Sequence, residues 1–147
     1  MVTFAESGTI TGDIEWIWRT ASDPAAWASW DPHLEEIRFE GPFAPGSTGW
    51  SKPKGGPGGP FTVVATAARS SYSTESPVPG GLMKITNTYT ELGDGQVRIT
   101  RDVEVTGWFG KVFNLFWAKG QRRDMHNTFR ALEQEAQRRA ATSVADI

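Results

Sequence analysis

One long amphipathic helix at the end of a run of β-strands constrains this chain more than any other feature of its sequence. Over 109–139 the pattern is helical, and Met125, Phe129, Leu132 and Ala136 fall on one stripe when residues advance about 100° each. Ahead of it, β-forming stretches at 2–11, 35–40, 47–52, 61–67, 69–76, 82–92 and 96–106 are separated by turn chemistry: Gly41-Pro42, Pro45-Gly46, Pro77 through Gly81, and Gly93-Asp94-Gly95. Gly8 marks an expected bulge in the first strand. Two short helices interrupt the run after that strand. Asp13 is placed to cap Ile14 to Thr20, and Asp23 to cap a second helix with Pro24 at its first position, closed by Trp30-Asp31-Pro32. Strands in a run followed by a helix indicate an α+β fold, with an antiparallel meander in place of a parallel sheet. Such a sheet must bury one face, and the terminal helix is the one large object available to cover it. The expected architecture is therefore a seven-stranded antiparallel curved sheet wrapped around the long C-terminal helix, with two short helices between strands 1 and 2. Residues 1–139 read as a single domain and 140–147 as a frayed tail.

Composition removes several function classes. At 147 residues the chain has the length of one domain, and the absence of cysteine excludes disulfide frameworks, thiolate metal sites and cysteine nucleophiles. A net charge of −2 is the wrong sign for a generic nucleic-acid binder. No run of 18 apolar residues spans a membrane, and Met1 to Glu6 lack the basic flank and apolar core of a signal peptide, so the expected compartment is cytoplasmic. No His/Asp/Glu cluster has metal-ligand spacing, and no nucleophile elbow is present; the expected cofactor is none. The Gly/Pro-rich stretch from Lys52 to Pro60 lacks the terminal Gly-Lys-Ser/Thr of a phosphate loop and reads as a hairpin lip over a pocket. What composition leaves over is seven tryptophans, each asking for buried area and an indole N–H partner.

The hairpin 82–92/96–106 carries the candidate chemistry. A turn centred on Asp94 pairs Tyr89 with Ile99, Asn87 with Arg101, and Ile85 with Val103. Val97, Ile99, Arg101, Val103 and Val105 then share the core face, so Arg101 is a charge in an apolar row. It either floors a cavity and holds a ligand's carbonyl, enolate or carboxylate, or it snorkels or pairs with Glu6, Glu75 or Glu91. Tyr72 is expected to face in beside it. The helix stripe, traced back toward the helix start, gives Asn114, Ala118, Gln121 and Arg122, with His126 at its border. These small or polar groups fit the roof of a cavity, and equally a solvated helix end. Trp50, Phe61 and Val63 are assigned to the cavity from the strands on either side of the Gly/Pro loop. His33 reads as a surface loop residue.

Ile17-Trp18, Ser22-Asp23-Pro24, Trp27, Trp30-Asp31-Pro32, Gly41-Pro42 and Pro45-Gly46 together resemble the opening of the SRPBCC superfamily, in its polyketide cyclase/dehydrase-like branch. This superfamily also holds the START-like and Bet v 1-like proteins. The resemblance implies a helix-grip fold and a cavity between sheet and helix for an apolar or aromatic small molecule. It implies no particular reaction.

The leading expectation is binding of a hydrophobic, aromatic or polycyclic small molecule, with polyketide cyclase/dehydrase-like activity if the chain is an enzyme. In that case Arg101 stabilises an enolate-like oxygen, Tyr72 or Tyr89 donates or relays a proton, and Asn87 orients a ligand packed on Ile85 and Ile99, without a cofactor. The alternative is a non-enzymatic lipid or quinone carrier, or a protein-partner module resembling the chaperone activators. Phe113, Phe116 and Trp117 point away from the helix stripe, close to Trp108 and Phe109, and need a cover. A homodimer is the preferred cover, a cavity portal an equal fit to the resemblance. Trp18, Trp27 and Trp30 are expected to build a wedge closing one end of the sheet, and Trp16 is left unplaced.

Overall fold

The computed structural model of the chain describes residues 1–116 and 118–145; the side chains of 113–116, 118, 119, 121, 122 and 145 lie outside the description. The described residues form β1 (Val2–Thr11), α1 (Ile14–Ala21), a short 3-10 turn (Pro24–Ala26), α2 (Trp27–Trp30), β2 (Leu34–Phe39), β3 (Thr48–Pro53) and β4 (Gly59–Ala67). These are followed by β5 (Ser71–Val78), β6 (Gly81–Gly93), β7 (Gln96–Val105), α3 (Phe109–Phe116) and α4 (Ala118–Ala145). The seven strands make one antiparallel sheet in the order β1-β7-β6-β5-β4-β3-β2, so the first strand closes onto the last and β2 forms the far edge. This is the helix-grip α+β fold, a half-barrel curved around α4.

The β6–β7 hairpin has the register that its turn demands. Gly93, Asp94 and Gly95 all take positive φ (88°, 54° and 74°), which two glycines and an aspartate tolerate. Tyr89 pairs with Ile99, Asn87 with Arg101 and Ile85 with Val103. β5 starts at Ser71, two residues later than the sequence pattern indicates, because Arg69 sits at φ 60° and Ser70 N–H bonds back to the Ala67 carbonyl at 2.9 Å, making a turn.

Two expectations about β1 and the helix are corrected. Gly8 is no bulge: β1 pairs with β7 without a register shift from Val2 to Thr11. Gly8 instead makes room for the Phe129 ring of α4, since a Cβ there would lie 2.9 Å from Cδ2 of Phe129. Residues 140–145 are helix, not frayed tail, and α4 runs on to Ala145. Arg138 and Arg139 both pair with Glu135, Arg139 also reaches Asp23 Oδ2 at 3.2 Å, and Thr142 Oγ1 donates to the Arg138 carbonyl. These contacts tie the final turns to each other and to the turn before α2. The alanines at 140 and 141 favour helix on their own account.

Met125, Phe129, Leu132 and Ala136 are buried, as the stripe predicts, and pack with Phe4, Ile10, Ile17, Val97, Ile99, Val103 and Val105 into one core. α4 lies against β1 and α1. α1 begins where Asp13 Oδ1 accepts the Glu15 N–H at 2.8 Å. Asp13→Ala should lower stability by about 1 kcal/mol. Urea unfolding checks this: the midpoint shifts with an unchanged slope, and an unchanged midpoint would show that the cap carries no weight.

Candidate ligand cavity and its polar floor

Strand periodicity and register place the central groups. Side chains two apart on a strand share a face, and register partners sit side by side across it. Tyr72 of β5 pairs with Asn87 of β6, Asn87 with Arg101 of β7, and Arg101 with Glu6 of β1. One transverse row of the concave face is therefore polar over four strands. The row beside it runs Thr74, Ile85, Val103 and Phe4, and the row on the other side Tyr89, Ile99 and Gly8. Arg101 Nε donates to Asn87 Oδ1 at 2.7 Å, and Asn87 is 2% exposed. Among the described residues no carboxylate oxygen lies within 4.0 Å of the Arg101 guanidinium. Glu6 itself is met by His126 Nε2 at 2.9 Å.

Above this row is a cavity of about 410 Å3 between the sheet, the α2–β2 turn and α4. That volume is within the range of small-molecule sites. Its aromatic wall is continuous. Trp27 stacks on Phe61 and on Tyr72, each with centroids 6.0 Å apart, Tyr72 stacks on Tyr89 at 6.4 Å, and Trp18 meets both tyrosines edge-on at 6.5 and 6.0 Å. Trp27 settles its own indole N–H on the Ala21 carbonyl at 3.0 Å. Burial pushes the Tyr72 phenol above its ordinary pKa, with the Arg101 charge pulling it partly back. The same burial, aided by Tyr72, raises Tyr89 well above it. Both phenols are therefore neutral hydrogen-bond donors at neutral pH. Among the described residues no group of three or more His, Asp or Glu side chains is placed to hold a metal ion.

A family model described as polyketide cyclase/dehydrase and lipid transport matches residues 1–137. The chain belongs to this family. No curated protein matches it by sequence. Among solved structures it is similar to ginseng major latex-like protein 151 from Panax ginseng, at 12% identity and TM-score 0.75, over 92% of this chain and 97% of that one. A protein from Mesorhizobium loti matches at 17% identity and TM-score 0.73, covering 93% and 98%. A norcoclaurine synthase point mutant from Thalictrum flavum, in complex with a transition-state analogue, matches at 12% identity and TM-score 0.68, covering 95% and 96%. At these identities the likeness is one of fold, the Bet v 1-like helix grip.

In this member of the polyketide cyclase/dehydrase and lipid-transport family, the residues expected at the site divide by geometry. Arg101, Tyr89, Tyr72, Asn87, Ile85, Ile99 and Phe61 all line the cavity. Trp50, Val63 and His126 lie off its wall. Trp50 occupies the other face of the sheet: it alternates with Gly49, the register partner of the inward Phe61, and it packs against Arg38, whose guanidinium carbon is 4.5 Å from the ring centroid. Val63 is fully buried next to the 44–47 turn, which it holds through Gly46 N–H and its own N–H to Ser47 O. His126 turns to Glu6 and packs edge-on against Phe129 at 5.7 Å. The side chains of the expected roof residues Asn114, Ala118, Gln121 and Arg122 lie outside the description, as do those of Phe113 and Phe116 of the expected dimer face, and Trp117 lies outside the described residues. Trp108, the fourth of that group, is 62% exposed.

The described part of the roof comes one turn later, from Asp124, Met125, Thr128, Phe129 and Leu132. Asp124 and Thr128 each precede a stripe residue by one position, so widening the stripe would have found them. The Trp30-Asp31-Pro32-His33 turn also lines the cavity, and so does Lys54 at the start of the Gly/Pro loop, while Lys52 is held by Glu35. His33 is half-buried, not a free surface residue, because Asp31 Oδ1 accepts its backbone N–H at 2.9 Å and its carbonyl accepts from Lys54 N–H at 3.0 Å.

Proposed function

We propose that the chain binds an aromatic, polycyclic small molecule in the cavity between sheet and helix, and positions an oxygen of that molecule against Arg101, Tyr72 and Tyr89. The observation that carries this reading is the Tyr72–Asn87–Arg101 row: a guanidinium and a phenol on either side of one buried amide, on the floor of a cavity walled by stacked aromatic rings. A partly buried cation with no carboxylate oxygen within 4.0 Å among the described residues is costly, and a guest bearing a carbonyl, enolate or phenolate oxygen offsets that cost. Such an arrangement stabilises negative charge that develops on an enolate-like oxygen, while the neutral phenols donate hydrogen bonds to the same oxygen. That is the demand of cofactor-independent cyclisation or dehydration of a polyketide-like chain, where positioning does most of the work. The same cavity serves a non-enzymatic carrier of a lipid or quinone, which would return its guest chemically unchanged.

The test is tryptophan-quenching titration with anthracene and with a dihydroxyanthraquinone. Wild-type protein should prefer the quinone, and Arg101→Leu should lower quinone affinity at least about tenfold while leaving anthracene unaffected. Equal binding of both compounds before and after the substitution would remove Arg101 from the site. Recovery of an altered product from a polyketide-like substrate would separate catalysis from carriage.

A further inference from the structure

We propose that the guest is an aromatic carboxylic acid, held as its carboxylate by the terminal edge of the Arg101 guanidinium, and that Asn87 is the positioning residue that leaves that edge free. This rests on the reading of the cavity as a ligand site. It narrows the guest from a polycycle bearing some oxygen to one that brings a full negative charge to the sheet.

A guanidinium is a planar fork of five N–H donors and accepts nothing. Arg101 gives its Nε–H to Asn87 Oδ1 at 2.7 Å, and among the described residues no other side chain meets the guanidinium in hydrogen-bond geometry. Side-chain nitrogens and oxygens that are both shielded and unpartnered are confined, among the described residues, to Trp30 and His33. The two Nη groups of Arg101 therefore keep open surface. Arg101 is half-buried on the concave face, between β6 and β1, and lines the cavity, so that surface opens toward the guest. With Nε taken, a side-on approach through Nε is blocked. What remains is the end-on approach, in which two parallel N–H bonds from the Nη pair meet two oxygens of one carboxylate.

Charge and donor count favour a carboxylate over a neutral carbonyl. Glu6, the register partner of Arg101 on β1, is met by His126 Nε2 at 2.9 Å and does not neutralise the guanidinium. A ketone offers that cation a dipole, whereas a carboxylate offers the whole opposite charge. A ketone oxygen has two lone pairs, whereas a carboxylate has about four acceptor sites. The floor supplies more donors than a ketone can take: the Nη groups and the Tyr72 phenol, which stays protonated. Two carboxylates of the chain, Asp31 and Asp124, also line the cavity, from the α2–β2 turn and from α4. Asp31 Oδ1 already accepts from His33 N–H at 2.9 Å and from Thr128 Oγ1 at 3.2 Å, and Asp124 faces His33 Nδ1 at 3.9 Å and Arg123 Nε at 3.8 Å. Lys54 and Arg101 balance these two charges on the cavity wall, so an anionic guest is not repelled as a whole and is drawn to the floor.

Anthracene-2-carboxylate and 2-acetylanthracene share one ring system and differ in charge, and calorimetric titration with both near neutral pH tests this. Wild-type protein should bind the carboxylate at least about tenfold more tightly. Repeating the carboxylate titration in buffers of different ionisation enthalpy should show no proton taken up, because the guest enters ionised. Uptake of one proton per complex overturns the proposal. That readout uses the unsubstituted protein, so it stands even if a variant folds poorly. Arg101→Leu should bring the preference to one or below. Asn87→Asp keeps the arginine but sets a carboxylate against its Nε, and should do the same; a purely structural role for Asn87 would weaken both guests alike. A preference that survives Arg101→Leu overturns the carboxylate contact, and one that survives Asn87→Asp overturns the role of Asn87. If neither compound binds wild-type protein, the ligand-site reading itself falls; if both bind equally, only the carboxylate inference does.

Discussion

Phe129→Ala should lower the unfolding free energy by about 3 to 5 kcal/mol, a large share of the roughly 5 to 15 kcal/mol that a domain of this kind possesses. Phe129 is 3% exposed, forms part of the helix stripe, and rests on β1 where Gly8 leaves room for it. Truncation removes the transfer free energy of the ring and leaves a void on one wall of an existing cavity, where the surrounding strands cannot collapse. The same contact can be probed from the sheet side. A methyl added at Gly8 would lie 2.9 Å from the ring, so Gly8→Ala should cost about 1 to 3 kcal/mol alone and much less in the Phe129→Ala background. Chemical unfolding of the four proteins gives the coupling directly. Additive effects would mean that the helix does not seat on Gly8.

Alkaline pH should unfold the protein cooperatively as its two tyrosines ionise together. Tyr72 and Tyr89 are the chain's only tyrosines, both line the cavity, and burial raises the pKa of each. The sign follows from linkage. The folded state holds phenolic protons that the unfolded state releases near pH 10, so the stabilisation is fully present below about pH 10 and is lost as pH rises toward the folded-state values. With both phenols contributing, stability should fall by at most about 2.7 kcal/mol per pH unit in that range. The tyrosinate absorbance band should therefore rise together with the loss of near-ultraviolet circular dichroism, at one midpoint. A gradual titration centred near pH 10 in a protein that keeps its fold would refute the burial of these phenols. In the Tyr72→Phe/Tyr89→Phe protein the alkaline fall in stability should flatten.

The hairpin shows why much of the candidate site is legible in the sequence. Once Asp94 is taken as the turn centre, strand pairing is a matter of counting, and it puts Asn87 beside Arg101 and Tyr89 beside Ile99. Side-chain alternation then turns Arg101 inward. Phe129 and Met125 were legible for the same reason on a helix. Trp50 is not legible in the same way, because its strand is short and its face follows from the β4 partner, with Gly49 opposite Phe61. His126 and Glu6 are 120 residues apart, and nothing local in either segment announces that they meet. His33 read as a loop residue because a histidine after Asp-Pro carries no periodicity to place it.

Local rules with short reach therefore determined the elements: turn residues set strand ends, period two and period 3.6 set the buried faces, and the Trp/Asp/Pro pattern indicated the family. Only the tertiary structure decided which faces meet. It brought the α2–β2 turn over the sheet, set Asp124 against His33, and seated Phe129 on Gly8. The physical reason is that these contacts join segments remote along the chain, and their geometry depends on how the sheet curves around the helix. Periodicity reports which side of an element is buried; curvature decides what lies across from it.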